Sequence, residues 1–320
     1  MKISDVLTHE EIKRMSQATD VHGYASLVTS WGLIGLSFTL AAVNLPGFAH
    51  WLAVIIALIL LGGRQLALGI LMHDCAHYSL FRTRWLNDFS GKWLSGYPVW
   101  QDLRRYRAHH LAHHRDAGTE KDPDASLTTG YPTSRASLVR KIFRDLVGIT
   151  GVKRVFGLLA MDFGFIKYTV ANDKISITSE KGLHHRLLAG VRNTYGVVLT
   201  NLILFLLLKA TGHAELYALW VIAYLTTFSL FLRIRSIAEH ACTTPGADPL
   251  ESTRTTAANW FGRITVAPHY VNYHLEHHLL MNVPSFRLPR LHRLLRGQGH
   301  LENAHLASGY CAILKTVTNR

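Results

Sequence analysis

Cysteine is scarce in this chain of 320 residues, which contains only Cys75, Cys242 and Cys311. These residues stand far apart, and no two of them form a CxxC pair. A disulfide framework, a zinc ribbon and an iron–sulfur cluster all require paired or clustered thiols, so the sequence supports none of these designs. Any metal site in the chain must therefore use other ligands.

Charged residues are also few, at 17% of the chain against 48% for hydrophobic residues. The scarcest are acidic, with 21 Asp and Glu against 34 Lys and Arg, which gives a net charge of +13. A basic excess can indicate nucleic-acid binding, but the basic and aromatic residues here form no recognisable nucleic-acid module. We therefore expect no nucleic-acid partner and attribute the positive charge to contact with anionic lipid headgroups.

The hydrophobic residues are gathered into segments, which is typical of membrane spans. A run of about 20 residues, rising about 1.5 Å per residue, can cross a bilayer core of about 30 Å. The N-terminal segment 1–23 carries acidic residues ahead of any apolar run and does not resemble a signal peptide. The sequence predicts transmembrane helices at about 24–43, 50–72, 195–210 and 215–233.

The connections between these runs differ in charge, and this difference predicts the topology. The two short connections, around 44–50 and 211–215, contain no Lys or Arg, whereas the long segments are rich in both. By the positive-inside rule, the long segments are cytoplasmic. We expect one all-α integral membrane domain, 1–320, with four transmembrane helices in two hairpins and a cytoplasmic helical cap formed from 1–23, 73–193 and 234–320. The expected location is a bacterial-type inner membrane or its equivalent, with both termini and the active site on the cytoplasmic side.

Arg64 is the main charged interruption of the second apolar run. Because a charge in the middle of a bilayer is costly, we expect Arg64 to snorkel to the inner interface while the helix continues beyond the membrane. A role in substrate binding is the alternative. On the first interpretation His73 lies about 13 Å beyond Arg64 along the helix axis, in the cytoplasm.

Histidine, in contrast, is concentrated in short motifs. The stretch from Arg107 to His114 contains His109, His110, His113 and His114. On a helix, the last three can lean toward one point from one face. Neutral imidazole suits iron, zinc, copper or nickel better than magnesium or calcium. A single HxxHH triple could equally be a solvated polar face.

The motif has partners elsewhere in the chain. HDCAH at 73–77 provides an i, i+4 pair, HLEHH at 274–278 repeats the HxxHH spacing, and His240 adds another imidazole. A single metal needs three or four protein ligands, so this larger set indicates two metals. Iron that handles dioxygen is the favoured choice, and zinc remains open.

These motifs, in this order and spacing, resemble the three histidine boxes of the membrane fatty acid desaturase superfamily. RSIAEH at 235–240, DPD at 122–124 and NYHLEHHL at 272–279 extend the resemblance over most of the chain from the second apolar run onward. The resemblance implies a non-haem diiron oxidoreductase with histidine ligands and a hydrophobic substrate tunnel. It also implies electrons from a ferredoxin or cytochrome b5 system.

Transferred position by position, the resemblance implies nine metal ligands: His73, His77, His110, His113, His114, His240, His274, His277 and His278. His109 could replace His110 in an HxxxHH register, but Leu111 and the downstream DPD favour His110. His269 could orient a ligand or be a loop residue, and the pair His184 and His185 is expected to be solvated. No fused cytochrome b5 domain is visible and the cysteines exclude a fused ferredoxin, so a separate electron-transfer protein is expected.

The expected function is fatty acid desaturation. The enzyme uses dioxygen and two electrons to introduce a C=C bond into an acyl-lipid or an acyl-thioester, and membrane lipid is a further expected partner. A lipid or carotenoid hydroxylase or ketolase with the same diiron centre is the first alternative. A membrane metal-binding or transport protein is the second, although transporters place polar groups near the bilayer midplane and these histidines follow the spans. A zinc hydrolase using Glu239 or Glu276 as general base is disfavoured because no HExxH motif is present.

Overall fold

The computed structural model describes residues 3–171, 175–177 and 182–318. Small parts of the predicted cytoplasmic segments, namely 1–2, 172–174, 178–181 and 319–320, lie outside the described residues. Helices dominate the described part, which is consistent with the all-α expectation. They are α1 (His9–Met15), α2 (Asp20–Ala42), α3 (Phe48–Ala76), α4 (Arg84–Phe89), α5 (Leu103–Asp116), α6 (Arg135–Leu146), α7 (Ile149–Asp162), α8 (Leu183–Ala210), α9 (Leu216–Leu225), α10 (Thr227–His240), α11 (Pro249–Ser252), α12 (Trp260–Ile264), α13 (His274–Leu279), α14 (Leu288–Gly297) and α15 (Tyr310–Thr316).

Four helical segments are long and apolar enough to cross a membrane: His9–Ala42, Phe48–Ala76, Leu183–Ala210 and Leu216–His240. Each predicted span lies largely within one of them, but the helices extend further than the apolar runs. The hydrogen-bond ladder of a helix continues for as long as the backbone allows, whatever the polarity of the side chains. α8, for example, begins at Leu183, twelve residues before the predicted start at 195, through a basic stretch.

Helix α3 is the central element. It packs against α2, α9 and α10, and its 29 residues correspond to a length of about 44 Å. That length exceeds a bilayer core of about 30 Å, so one end of α3 projects beyond the core. His73 lies in the last turn of α3, and His77 follows at its C-terminus.

Two consecutive glycines allow close approach to α3. A Cβ atom on Gly62 would lie 2.1 Å from Oγ1 of Thr227, at the start of α10. A Cβ atom on Gly63 would lie 2.2 Å from the carbonyl oxygen of Ile264, at the end of α12. The absence of side chains at these two positions therefore sets how closely two neighbouring elements pack on α3.

Arg64 was expected to snorkel to the membrane interface, but in the structure it packs inside the protein. Its side chain is buried, with the residue 4% exposed, and Nη2 donates hydrogen bonds to the carbonyl oxygens of Ile264 at 2.9 Å and Arg263 at 3.4 Å. Carbonyls at the C-terminal end of a helix lack intrahelical partners and carry partial negative charge, so they attract a guanidinium. Arg64 thus holds α12 against α3.

A short parallel sheet interrupts the helical fold and was not predicted. Strand β1 (Arg254–Thr256) pairs with β2 (His305–Ala307), with Thr255 opposite Leu306. The buried guanidinium of Arg254 donates hydrogen bonds to the carbonyl oxygens of Ala238 and Ala241. These bonds fix β1 beside the C-terminal end of α10.

The amphipathic helix α14 covers the outer side of α13. Its apolar residues Leu288, Leu291 and Leu295 are buried in one cluster with Leu275 and Leu279 of α13. Its exposed side chains, Arg290, Arg293 and Arg296, are basic, so the helix is amphipathic.

Candidate metal centre

The nine predicted imidazoles gather into two groups in the structure. One, called here the α3 group, consists of His73, His77, His110, His114 and His277. The other, called the α10 group, consists of His113, His240, His274 and His278. Within each group, one nitrogen from every imidazole lies within 4.8 Å of one nitrogen from every other.

Helices α5 and α13 each supply both groups, in opposite patterns. In α5 the i, i+4 pair His110 and His114 joins the α3 group, and His113 joins the α10 group. In α13 the i, i+4 pair His274 and His278 joins the α10 group, and His277 joins the α3 group. Adjacent helical residues point about 100° apart, so an HxxHH motif can serve two centres. The expectation that all three histidines of such a motif converge on one point is therefore wrong.

The ring nitrogens of each group point at one another. In the α3 group, Nε2 of His277 lies 3.0 Å from Nε2 of His73 and 2.9 Å from Nε2 of His114. Nε2 of His114 lies 3.0 Å from Nε2 of His110. In the α10 group, Nε2 of His240 and Nε2 of His274 are 2.8 Å apart.

The outward nitrogens of several imidazoles are held by oxygen atoms of the protein. Nδ1 of His73 lies 3.0 Å from Oδ1 of Asp74, and Nδ1 of His240 lies 3.0 Å from the carbonyl oxygen of Ser252. An N–H donated outward leaves the lone pair of Nε2 directed into the group, which is the arrangement that metal-binding histidines adopt.

His113 has the most elaborate outward contact. Its Nδ1 lies 2.7 Å from Oδ1 of Asp122, and the same oxygen accepts the backbone N–H of Asp124 at 2.8 Å. Burial raises the pKa of Asp122, but the hydrogen bond from His113, the charge of His113 and the backbone N–H of Asp124 together lower it below its ordinary value. Asp122 is therefore a carboxylate that accepts a hydrogen bond from Nδ1–H of His113.

Burial sets the charge state of most of these imidazoles. It lowers the pKa of His77 to about 4, and it lowers the pKa values of His110 and His277 well below the ordinary value of 6.5. Neighbouring imidazoles lower the values of His110 and His277 further. For His113, burial lowers the pKa, but the hydrogen bond to Asp122 and the charges of Asp122, Asp124 and Glu239 together raise it above its ordinary value. Neutral imidazoles with free lone pairs are the form that binds metal ions.

The donor set fits a pair of first-row transition-metal ions. Within the described part of the chain, both ring nitrogens of His77 and Nε2 of His278 are buried without a hydrogen-bond partner. Buried polar atoms normally have partners, so these nitrogens require an explanation, and a bound metal supplies one. A metal–imidazole bond of about 2.1 Å is compatible with donor atoms at the separations found within each group.

The remaining histidines lie apart from both groups. Nε2 of His109 contacts Oδ1 of Asp124 at 2.7 Å, so the structure favours the register that begins at His110. Nε2 of His269 contacts Oγ of Ser30 at 2.9 Å, and His184 and His185 are exposed.

Several residues that support the two groups were not predicted from the sequence. Oε1 of Glu276 lies 2.6 Å from Nδ1 of His292, and Oε2 accepts the hydroxyl of Thr255 at 2.5 Å. Both carboxylate oxygens are thus engaged, which disfavours Glu276 as a hydrolytic base. The motif NYHLEHHL contained Glu276, but its partners lie 16 and 21 residues away, beyond the reach of a local pattern.

An apolar cavity of about 590 Å³ lies between α7, α8 and α9. Its walls include Val155 of α7, Leu202 of α8 and Val221 of α9, together with Trp100. The indole N–H of Trp100 donates to Asp162 at 3.0 Å, and Asp162 also accepts from Arg105 of α5. Hydrogen bonds thus connect the wall of the cavity to the helix that carries the second histidine motif.

Comparisons with known proteins find one matching family and several related sequences. The family model described as fatty acid desaturase matches residues 49–309. The dihydrorhizobitoxine desaturase of Bradyrhizobium elkanii is 27% identical over 250 residues, covering 76% of this chain and 68% of the relative. The sn-1 oleoyl-lipid 12-desaturase of Anabaena variabilis is 22% identical over 272 residues, covering 80% and 71%. The sn-1 acyl-lipid omega-3 desaturase (ferredoxin) of Nostoc sp. (strain 36) is 32% identical over 120 residues, covering 36% and 31%.

Proposed function

The chain belongs to the fatty acid desaturase family and is an oxidoreductase, and from this premise we propose that it introduces a C=C bond into a fatty acyl chain at a diiron centre. The observation that carries the proposal is the pair of buried imidazole groups. The family is known for an iron cofactor, and we assign one iron to each group. The nine histidines of the two groups are the proposed ligands.

The chemistry explains why such a centre is needed. Bound iron, with dioxygen and two electrons, would supply the oxidising power for removing hydrogen from an unactivated methylene, which side chains lack. The protein's own residues have different tasks. Most of the imidazoles are neutral and direct a ring nitrogen into their group, while Asp74, Asp122 and the carbonyl of Ser252 hold the rings of His73, His113 and His240 from outside. Burial of the groups keeps bulk water away from them.

An acyl chain attached to a lipid or a thioester is the proposed substrate. The apolar cavity between α7, α8 and α9 supports this assignment because it offers space for a hydrocarbon next to membrane-spanning helices. Two of the relatives are named for acyl-lipid substrates, whereas another is named for dihydrorhizobitoxine. A search for products must therefore include compounds other than lipids.

We further propose that a separate ferredoxin or cytochrome b5 system delivers the electrons on the cytoplasmic side. One relative carries ferredoxin in its name, and the net charge of +13 suits an acidic partner. The absence of Lys and Arg from the connection around 44–50 supports placing the histidine groups in the cytoplasm.

Expression with a ferredoxin and its reductase, followed by mass spectrometry of lipids and of polar metabolites, tests the activity. We expect a species lighter by two hydrogen atoms that is absent when His277→Ala replaces the wild-type protein. His277 lies in the α3 group, so the variant should also bind less iron. The matched control is His184→Ala, which removes an exposed histidine and should change neither product nor iron content.

The other outcomes separate the alternatives. A product heavier by one oxygen atom would retain the metal centre and make the protein a hydroxylase. Full activity and full iron content in His277→Ala would refute the ligand assignment.

A further inference from the structure

Helix α13 is too short to hold its own orientation. It spans the six residues His274–Leu279, less than two turns, and the residue before it provides no side-chain cap. Isolated helices of this length are unstable in water, so contacts with other elements must fix α13. The orientation of α13 affects both groups, because α13 supplies His277 to the α3 group and His274 and His278 to the α10 group.

Glu276 provides the polar part of these contacts. It is 0% exposed and points roughly opposite to His274 and His278, which are each two residues away, and about 100° away from the adjacent His277. A buried carboxylate is costly unless its oxygens are hydrogen-bonded. Thr255 and His292 bond the two oxygens of Glu276, one each.

The two partners come from different elements on either side of α13. Thr255 lies in the middle of β1, and the sheet and Arg254 hold β1 beside α10. His292 lies in α14, which also covers Leu275 and Leu279 of α13. One carboxylate therefore links α13 to β1 and to α14 at once.

We propose that Glu276, Thr255 and His292 form a positioning network that sets the rotation of α13 and, through it, the metal affinity of both imidazole groups. His292 belongs to neither group, so it acts through its contacts with Glu276 and with the ring of Tyr273, which directly precedes α13. The inference rests on the proposed metal centre. It extends that proposal by assigning a role to a histidine outside the ligand set.

The test measures metal binding and does not require turnover. The metal-free protein is titrated with cobalt(II), with the visible spectrum and the bound stoichiometry recorded in wild type, His292→Leu and His292→Asn. Leucine removes the donor to Glu276, whereas the side-chain amide of asparagine can place a donor near the position of Nδ1. We expect His292→Leu to weaken cobalt binding at both groups about tenfold or more and to alter the cobalt spectrum. We expect His292→Asn to have most of the wild-type cobalt affinity and a spectrum close to that of wild type.

A control variant and a second variant of the network complete the test. His184→Leu removes an exposed histidine and should leave the titration unchanged. If His292→Leu fails to fold, Thr255→Val tests the other arm of the network and should change the cobalt spectrum in the same direction. A merely structural role for His292 would lower the melting temperature of the metal-free protein and leave the spectrum unchanged.

Unchanged affinity and spectrum in a folded His292→Leu or Thr255→Val variant would overturn the network. Failure of the proposed function would look different, because the cobalt effects would persist although no desaturated product formed. Failure of wild type to bind cobalt would overturn the metal centre and the network together.

Discussion

The histidines of the two groups differ in which atom contacts the ring nitrogen that faces away from the group. His73 and His113 contact carboxylates, and His240 contacts a backbone carbonyl. Both nitrogens of His77 lack hydrogen-bond partners within the described residues. A carboxylate raises the basicity of the imidazole that donates to it, so we expect His113 to be among the stronger metal ligands.

Asp122→Asn tests this expectation. Asparagine can still accept a hydrogen bond from Nδ1–H of His113, but it lacks the charge that contributes to raising the pKa of His113. We expect iron(II) to bind the α10 group roughly tenfold more weakly, with the α3 group less affected. Anaerobic titration with iron(II), followed by metal analysis after gel filtration, measures the change.

Asp116→Asn is the control for this variant, because Asp116 pairs with the exposed Arg115 and contacts neither imidazole group. Identical iron affinities for Asp122→Asn and wild type would show that the charge of Asp122 does not tune the site.

The residues of the site were predictable to the extent that their relations are local. The i, i+3 and i, i+4 spacings placed His110, His113 and His114 close together. His240 was counted among the available imidazoles, and the resemblance then assigned it as a ligand. The division of each HxxHH motif between two groups was not predictable, because it depends on where α3 and α10 approach α5 and α13. Glu276 was visible only as part of a motif, since its partners Thr255 and His292 meet it through tertiary packing.

At the scale of elements, α3 illustrates what the apolar pattern predicts and what it omits. The pattern predicted a helix that continues past the membrane and delivers His73, and the structure shows α3 extending to Ala76. It did not predict that Arg64 would be buried against α12, because the partner carbonyls lie 199 and 200 residues away in sequence. The same limit explains why the β1–β2 pairing was missed.

The crossing of α3 and α10 yields a prediction about packing. In Gly62→Ala the new methyl group would lie 2.1 Å from Oγ1 of Thr227 and 2.7 Å from the backbone nitrogen of Phe228. The helices must separate, which should destabilise the protein by about 2 kcal/mol, the usual cost of overpacking. Since α3 carries His73 and α10 carries His240, we also expect lower iron content. Thermal unfolding in detergent and metal analysis measure the two effects.

Gly69→Ala is the matched control on the same helix. A Cβ atom at Gly69 meets nothing within 4 Å, so this variant should keep its iron and its melting temperature, or melt slightly higher because alanine favours the helix. Equal behaviour of the two variants would show that close contact at Gly62 does not position the histidines.

For the whole molecule, composition and charge predicted the class of protein, and the described residues contain four helical segments suited to a membrane. The orientation in the membrane remains a prediction from the positive-inside rule. Two of the segments, Phe48–Ala76 and Leu216–His240, run from a short connection toward the histidine groups, over about 44 and 38 Å. We therefore expect both short connections to lie on the side opposite the metal centre.

Cysteine labelling in intact bacterial spheroplasts tests this topology. Asn44→Cys and Thr211→Cys, each in a Cys311→Ser background, place a thiol at an exposed position in a short connection. We expect a membrane-impermeant maleimide to label both without permeabilisation, because these connections lack Lys and Arg and should face the periplasm. In the otherwise native protein, exposed Cys311 of α15 should react only after permeabilisation. The opposite labelling pattern would show that the protein has the inverted orientation in the membrane. Labelling of only one of the two connections would refute the arrangement in two hairpins.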